Sequence, residues 1–178
     1  MADENHPTRL LLLDTGLALA DRTSLTAMSV DDVVRGADVA KGTFYVHFSD
    51  RTAFLVALHA RFHEQLRASI RSSSASSKPG YQRIRRSTTA YLDGCLKARG
   101  VKAMLASARG EPAIAQEVAR SNDRFARAAV GDLKAMGHQD PLETARLFVA
   151  MTAEVALFEL DKGEPDTKLR RALLRMLT

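Results

Sequence analysis

The chain has 178 residues, of which 46% are hydrophobic and 6% aromatic, with no tryptophan and one cysteine. This length suits a globular protein with one sizeable core, or with one small and one medium core. The lone cysteine, Cys95, excludes an intramolecular disulfide framework and agrees with a reducing compartment. No apolar run is long enough to span a bilayer, and no secretory leader is evident. We therefore expect a cytoplasmic protein that does not enter a membrane.

The net charge of +5 is unevenly distributed along the chain. Residues 1–71 hold 8 Lys and Arg against 9 Asp and Glu, whereas residues 72–178 hold 18 against 12. The N-terminal part is therefore the less basic part. The overall positive charge does not by itself support nucleic acid binding by that part.

Hydrophobic residues at helical spacing predict an all-α fold of about nine helices. After six or seven residues that look disordered, a first helix is predicted from Thr8 to about Asp21, with a connection over 22–28. Two short helices follow, over 29–37 and 40–48. A long amphipathic helix then begins after Asp50 and ends in the serine-rich loop 72–80.

Beyond this loop the pattern stays helical. Helices are predicted over about 81–97, 101–109, 112–136, 141–161 and 167–177, with glycine or proline at most of their ends. No alternation of useful length predicts a strand.

The two short helices carry the most specific pattern in the chain. Ser29 is a good N-cap for the first, and Phe44 and Phe48 turn inward from the second. The polar residues left to face outward on the second helix are Lys41, Thr43, Tyr45 and His47. Two short helices joined by a tight turn, the second with a hydrogen-bonding outer face, form the arrangement that places a recognition helix in the DNA major groove.

The run Lys41 to Phe48, KGTFYVHF, also resembles the signature that ends the helix-turn-helix of TetR-type transcriptional repressors. The resemblance implies a DNA-binding head over residues 1–50 and a ligand-binding and dimerisation domain over residues 51–178. It further implies a homodimeric repressor that binds a double-stranded, palindromic operator and is released by a small-molecule effector. No catalytic residue, metal site or cofactor is expected, because no motif for an enzyme appears.

Each outward residue has a chemical reason to contact DNA. Gly42 allows a phosphate to approach closely, and Thr43 can serve a base edge, a phosphate or a thymine methyl. Lys41 can reach a guanine edge or the backbone, and Tyr45 and His47 can reach phosphates. Ser29 and Arg51 begin flanking helices, where backbone N–H groups favour phosphate. The predicted DNA-binding residues are Ser29, Ala40, Lys41, Gly42, Thr43, Tyr45, His47 and Arg51.

Three features depart from the family pattern. Asp38 stands at the turn position where the family usually has glycine, and Ala40 replaces a capping Ser or Thr, a loss of about 1 kcal/mol. Asp31 and Asp32 occupy the first turn where relatives often carry basic residues. Because these acids repel phosphate, an alternative function is a helical ligand-binding or protein-interaction module with weakened or lost operator recognition. We expect a shallow salt dependence of DNA binding.

Residues of the larger domain are assigned more loosely. His59 and His63 lie four residues apart and either line a ligand pocket, lie on the surface or hold a metal ion. Arg83, Arg85 and Arg86 form either a solvated face or an anion site. The predicted ligand-binding residues are His59, Phe62, His63, Leu66, Tyr91, Cys95, Met104 and Phe125.

Two apolar stripes near the C-terminus predict either a dimer interface or a monomer core. The first includes Leu147, Phe148, Met151, Val155 and Phe158, and passes the small residues Ala150 and Ala153. The second comprises Leu169, Leu173, Leu174 and Leu177. Because a short recognition helix needs two half-sites, the dimer is favoured.

Overall fold

The computed structural model describes residues 5–20, 28–107 and 110–178, which form nine α-helices and no strand. The all-α prediction is therefore confirmed. The helices are α1 (Pro7–Ala20), α2 (Val30–Gly36), α3 (Lys41–His47), α4 (Arg51–Ser74), α5 (Tyr81–Lys97), α6 (Arg99–Ser107), α7 (Pro112–Ala135), α8 (Pro141–Lys162) and α9 (Thr167–Arg175). Most of the predicted connection at 22–28 lies outside the described residues. Over the described ranges, no helix combines the length and apolar character needed to cross a membrane.

The chain divides into two compact units. The first is Met1–His63 with Gly100–Val118, and the second is Glu64–Arg99 with Ala119–Thr178. The functional division at residue 50 that the sequence suggests stays a prediction.

The first unit is built around three aromatic rings. Phe44 of α3 is fully buried, and its ring centroid lies 5.3 Å from those of Phe48 and Phe54. Phe48 and Phe54 meet edge to face at 5.1 Å. Such offset and edge contacts are the favourable geometries for aromatic pairs. The cluster fixes α3 against the start of α4.

Helix α1 packs closely on α4 within this unit. A Cβ atom added at Gly16 would lie 2.7 Å from the Phe54 ring and 3.1 Å from Leu58, so this position has no room for a side chain. At the rim of the contact, the Arg61 guanidinium donates two hydrogen bonds to the Asp14 carboxylate, at 3.0 and 3.1 Å. Close packing and a bidentate ion pair therefore fix the two helices together.

The second unit contains a buried ion cluster that joins α5, α8 and α9. Glu159 is completely buried and accepts two hydrogen bonds from Arg170, at 2.6 and 2.7 Å. Arg170 also donates to Asp93 at 2.6 Å. Hydrogen bonding to Glu159 holds the pKa of Arg170 above its ordinary value. Because a buried carboxylate without a cation is strongly unfavourable, Arg170 fixes the position of α9.

We predict that Arg170→Met lowers the free energy of unfolding by about 3–5 kcal/mol, because it leaves Glu159 buried without its cation. Urea denaturation followed by circular dichroism measures this change. Arg171→Met, at an exposed position next in the chain, is the control and should change stability by less than about 0.5 kcal/mol. Equal effects of the two substitutions would show that the cluster does not stabilise α9.

Candidate functional site

Helix α2 begins with a complete capping box. The Ser29 hydroxyl accepts a hydrogen bond from the Asp32 backbone N–H at 3.1 Å, and the Asp32 carboxylate accepts from the Ser29 backbone N–H at 3.0 Å. The Ser29 hydroxyl also donates to the Asp32 carboxylate at 2.7 Å, and this bond, followed by the one from the Ser29 N–H, lowers the pKa of Asp32. Asp32 is therefore needed to start the helix, which explains why an acid stands at this position.

The turn between α2 and α3 depends on Asp38. Its φ of 53° lies in the left-handed region, and it is the only residue other than glycine with positive φ among the described residues. Aspartate tolerates this conformation better than most residues, so it takes the place of the glycine usual in the family. Ala40 is the N-cap of α3 and makes no side-chain capping bond, as expected of a residue without a polar side chain.

Helix α3 presents a continuous outer face. Tyr45 is 52% exposed and Val46 is 72% exposed, while Phe44 and Phe48 on the opposite face are buried. The remaining predicted contact residues of this helix are exposed or half-buried; they are Ala40, Lys41, Gly42, Thr43 and His47. The structure therefore brings the α3 residues of the predicted set together on one surface. We call this surface, with Val46, the α3 face.

Asp31 of α2 forms an ion pair with Lys41 on the α3 face. The Lys41 ammonium nitrogen lies 2.8 Å from the Asp31 carboxylate, and both side chains are more than half exposed. The hydrogen bond to Asp31 raises the pKa of Lys41. An exposed pair of this kind contributes at most about 1 kcal/mol to stability. The pair places a carboxylate directly against the ammonium group of Lys41, where it would compete with any external anion.

His47 lies at the edge of the α3 face beside the start of α1. Its ring centroid is 4.8 Å from that of His6. Burial lowers the pKa of His47 below its ordinary value of 6.5, and the nearby His6 and Arg9 lower it further. His47 is therefore neutral near pH 7. A neutral imidazole can donate a hydrogen bond to a phosphate without adding charge.

The two flanking residues of the predicted set lie at helix starts, as expected. Ser29 caps α2 and Arg51 is the first residue of α4. The Arg51 side chain donates a weak hydrogen bond, 3.4 Å long, to the backbone carbonyl of Met28. This contact joins the start of α4 to the segment that precedes α2.

A cavity of about 120 Å³ lies within the second unit. Tyr91 and Phe125, two of the predicted ligand-binding residues, line it and meet edge to face at 5.6 Å. The predicted residues that are buried but do not line this cavity are His59, Phe62, His63, Leu66 and Cys95. The side chain of Met104 lies outside the described residues. Assignment of these positions to a ligand stays a prediction.

Known proteins match the N-terminal part of the chain in sequence and nearly all of it in fold. Residues 12–58 match the family model described as bacterial regulatory proteins, tetR family. The match covers α2 and α3 with the adjoining parts of α1 and α4. The HTH-type transcriptional repressor NemR of Escherichia coli (strain K12) is 33% identical over 75 residues, which are 40% of this chain. The chain spans 38% of the length of the curated relatives that it matches.

Three solved structures share the fold of this chain. A protein from Rhodococcus sp. assigned to the TetR-family regulators has a TM-score of 0.78 at 22% identity, covering 97% of both chains. The reduced form of E. coli NemR has a TM-score of 0.73 at 19% identity, covering 97% of this chain and 96% of that one. A tetR-family transcriptional regulator from Streptomyces coelicolor has a TM-score of 0.72 at 21% identity, covering 95% and 80%.

The sequence analysis did not identify several residues of the α3 face and of the cavity. Val46 is the most exposed large hydrophobic residue of the described chain, and its four-residue spacing from Gly42 could have placed it on the α3 face. Asp132 and Thr88 line the cavity and are buried, but no motif marks them. The sequence predicts that Arg83 belongs to a surface cluster or an anion site. In the structure, Arg83 donates a hydrogen bond to Asp132 at 2.6 Å.

We predict that Asp31→Asn strengthens binding to duplex DNA of random sequence, because it frees Lys41 to contact a phosphate. The slope of log affinity against log salt should become steeper by about 0.9, the value for one further phosphate contact. Fluorescence anisotropy at several salt concentrations measures both quantities.

Asp38→Asn is the matched control for this experiment. It removes the same charge from the same part of the chain, and asparagine retains the left-handed turn. It should leave the slope nearly unchanged. A slope that changes equally in both variants would contradict a specific competition between Asp31 and DNA for Lys41.

Proposed function

We propose that this protein is a DNA-binding transcriptional repressor that a small-molecule effector releases from its operator. The proposal rests on the side chains of the α3 face. It combines a mobile cation, a glycine, two hydroxyl groups and an exposed apolar side chain on one short helix whose other face is buried. This mixture suits base edges and phosphates, and it has no evident use in a protein core.

The chemistry of the α3 face assigns a role to each side chain. Lys41 and Thr43 contact base edges or phosphates, and Tyr45 contacts a phosphate through its hydroxyl. Val46 contacts a thymine methyl group, which is the apolar feature of the major groove. Because few of these groups are charged, affinity depends on hydrogen bonds more than on counterion release.

Gly42 supports direct contact with DNA. A Cβ atom added there would meet no protein atom within 4 Å, and its φ is not in the region that favours glycine. Neither packing nor backbone geometry therefore requires glycine at this position. Close approach of the DNA backbone does require it.

We predict that Gly42→Ala and Tyr45→Ala each weaken binding to the operator at least about 10-fold without loss of folded structure. Alanine is a better helix former than glycine by roughly 0.5–1 kcal/mol, so Gly42→Ala should slightly stabilise the head. Binding is measured with DNA from upstream of the protein's own gene, and stability by thermal denaturation.

Gly131→Ala is the matched control. Gly131 is an exposed helical glycine in the second unit, and an added Cβ there would make only an ordinary contact of 3.6 Å with Arg83. It should not change operator affinity. Equal, weak binding of the wild type and all variants to any DNA would contradict the repressor and support the alternative interaction module.

A homodimer would place two α3 faces on the two halves of a palindromic operator, roughly 34–36 Å apart. The exposed side of α8 supports this arrangement. Leu147 is 68% exposed and Phe158 is 64% exposed, and Ala150, Met151 and the exposed Glu154 lie between them on the same side of the helix. Large exposed apolar side chains in a row are typical of protein interfaces. Effector binding then acts by favouring a dimer whose two heads no longer match the half-sites.

We predict that Phe158→Glu converts a dimer into a monomer, because a carboxylate would be buried without a partner at the interface. Sedimentation equilibrium should give the 19.5 kDa monomer for this variant and twice that mass for the wild type. Leu11→Glu changes another exposed leucine, 47% exposed on α1, and should remain dimeric. A monomeric wild type would overturn the proposal.

A further inference from the structure

The cavity in the second unit combines an apolar wall with a small set of polar groups. The apolar side includes Ile70, Ile84 and Phe148, together with the edge-to-face pair of Tyr91 and Phe125. The size limits the occupant: an engineered apolar cavity of about 150 Å³ holds one benzene molecule. A cavity of about 120 Å³ therefore suits a single ring.

Asp132 provides a hydrogen-bond acceptor in the wall of this cavity. It is 4% exposed, and its Oδ1 atom accepts hydrogen bonds from the Gly80 backbone N–H at 2.8 Å and from Arg83 at 2.6 Å. Its Oδ2 atom receives no hydrogen bond from any described residue. A carboxylate oxygen without a donor in the wall of a mostly apolar cavity favours an occupant that donates a hydrogen bond to it.

Thr88 and Asn122 supply further polar groups in the wall. Thr88 is 6% exposed, and neither its hydroxyl nor the Asn122 amide bonds to another described residue. Thr152 also lines the cavity, but its hydroxyl already donates to the Phe148 carbonyl at 2.7 Å. Thr88 is thus available to an occupant, whereas Thr152 is not.

The charges around the cavity favour a neutral occupant. Arg83 balances the charge of Asp132, and the Arg67 guanidinium lies 5.9 Å from the centre of the Phe125 ring. Neither arginine lines the cavity, and because Arg83 already neutralises Asp132, the wall offers no unpaired negative charge to a cationic occupant. An anionic one would meet the Asp132 oxygen.

We infer that this cavity binds a neutral, single-ring aromatic molecule whose hydroxyl group donates to Asp132 and lies near Thr88, that is, a phenol. The ring packs against Tyr91 and Phe125. This inference rests on the proposed function, since it names the chemical class of the effector.

Isothermal titration calorimetry of the full-length protein with phenol, in the absence of DNA, tests the inference. Toluene has the same number of heavy atoms and lacks the donor; benzoate and benzylamine add a negative and a positive charge. We expect phenol to bind at one site per chain and to bind more tightly than the other three. A charge-assisted hydrogen bond corresponds to roughly a 10-fold or greater preference over toluene.

Substitutions test whether Asp132 and Thr88 contribute to phenol binding. Asp132→Asn should reduce the preference for phenol over toluene at least about 10-fold, and Thr88→Val should weaken phenol binding. Thr89→Val makes the same change at the exposed next position of α5, which does not line the cavity, and should bind phenol as the wild type does. The wild-type comparison of phenol with toluene does not depend on the folding of any variant.

Several results would overturn the inference. They are the absence of saturable phenol binding, tighter binding of benzoate or benzylamine, and equal phenol binding by the wild type, Asp132→Asn and Thr88→Val. Operator binding is measured separately without phenol. Operator binding without phenol binding refutes only the effector class, whereas phenol binding without operator binding refutes the repressor.

Discussion

The contact of Phe44 with Phe48 and Phe54 is the constraint on which the α3 face depends. A helix of seven residues is too short to be stable alone, so tertiary packing must hold α3 in place. The three rings do this from one side only. Every residue on the opposite side is thereby forced outward and is free to serve recognition. Phe44 and Phe48 therefore determine which side chains form the α3 face.

Local signals in the sequence predicted this part of the fold well. Ser29 as a cap, the inward Phe44 and Phe48, and the uncapped Ala40 depend on neighbours a few residues away. The role of Asp32 also follows from a local pattern, since it stands at the third position of the capping box. The ion pair of Asp31 with Lys41 does not follow from a local pattern, because its geometry depends on how the turn at Asp38 orients α2 and α3.

The cavity was much less predictable. Its wall comes from four helices, and which side chains face it depends on the rotation of each helix about its axis. Tyr91 and Phe125 were expected on chemical grounds, but Asp132 sits in a helix whose sequence gives no reason to single it out. The arginine cluster at 83–86 illustrates the same limit. Its members look equivalent in sequence, yet Arg83 contacts a buried carboxylate and Arg85 is exposed.

For the proposed repressor, the pairing of Lys41 with Asp31 bears on how molecules divide between the operator and unrelated DNA. A genome offers roughly 10⁶–10⁹ non-specific sites that compete with one operator. Because Lys41 already pairs with an internal carboxylate, contact with an arbitrary phosphate adds little to the affinity. Binding to non-specific sites is then weakened more than binding to the operator, where base contacts add to the affinity. Fewer molecules are then held on unrelated sequence.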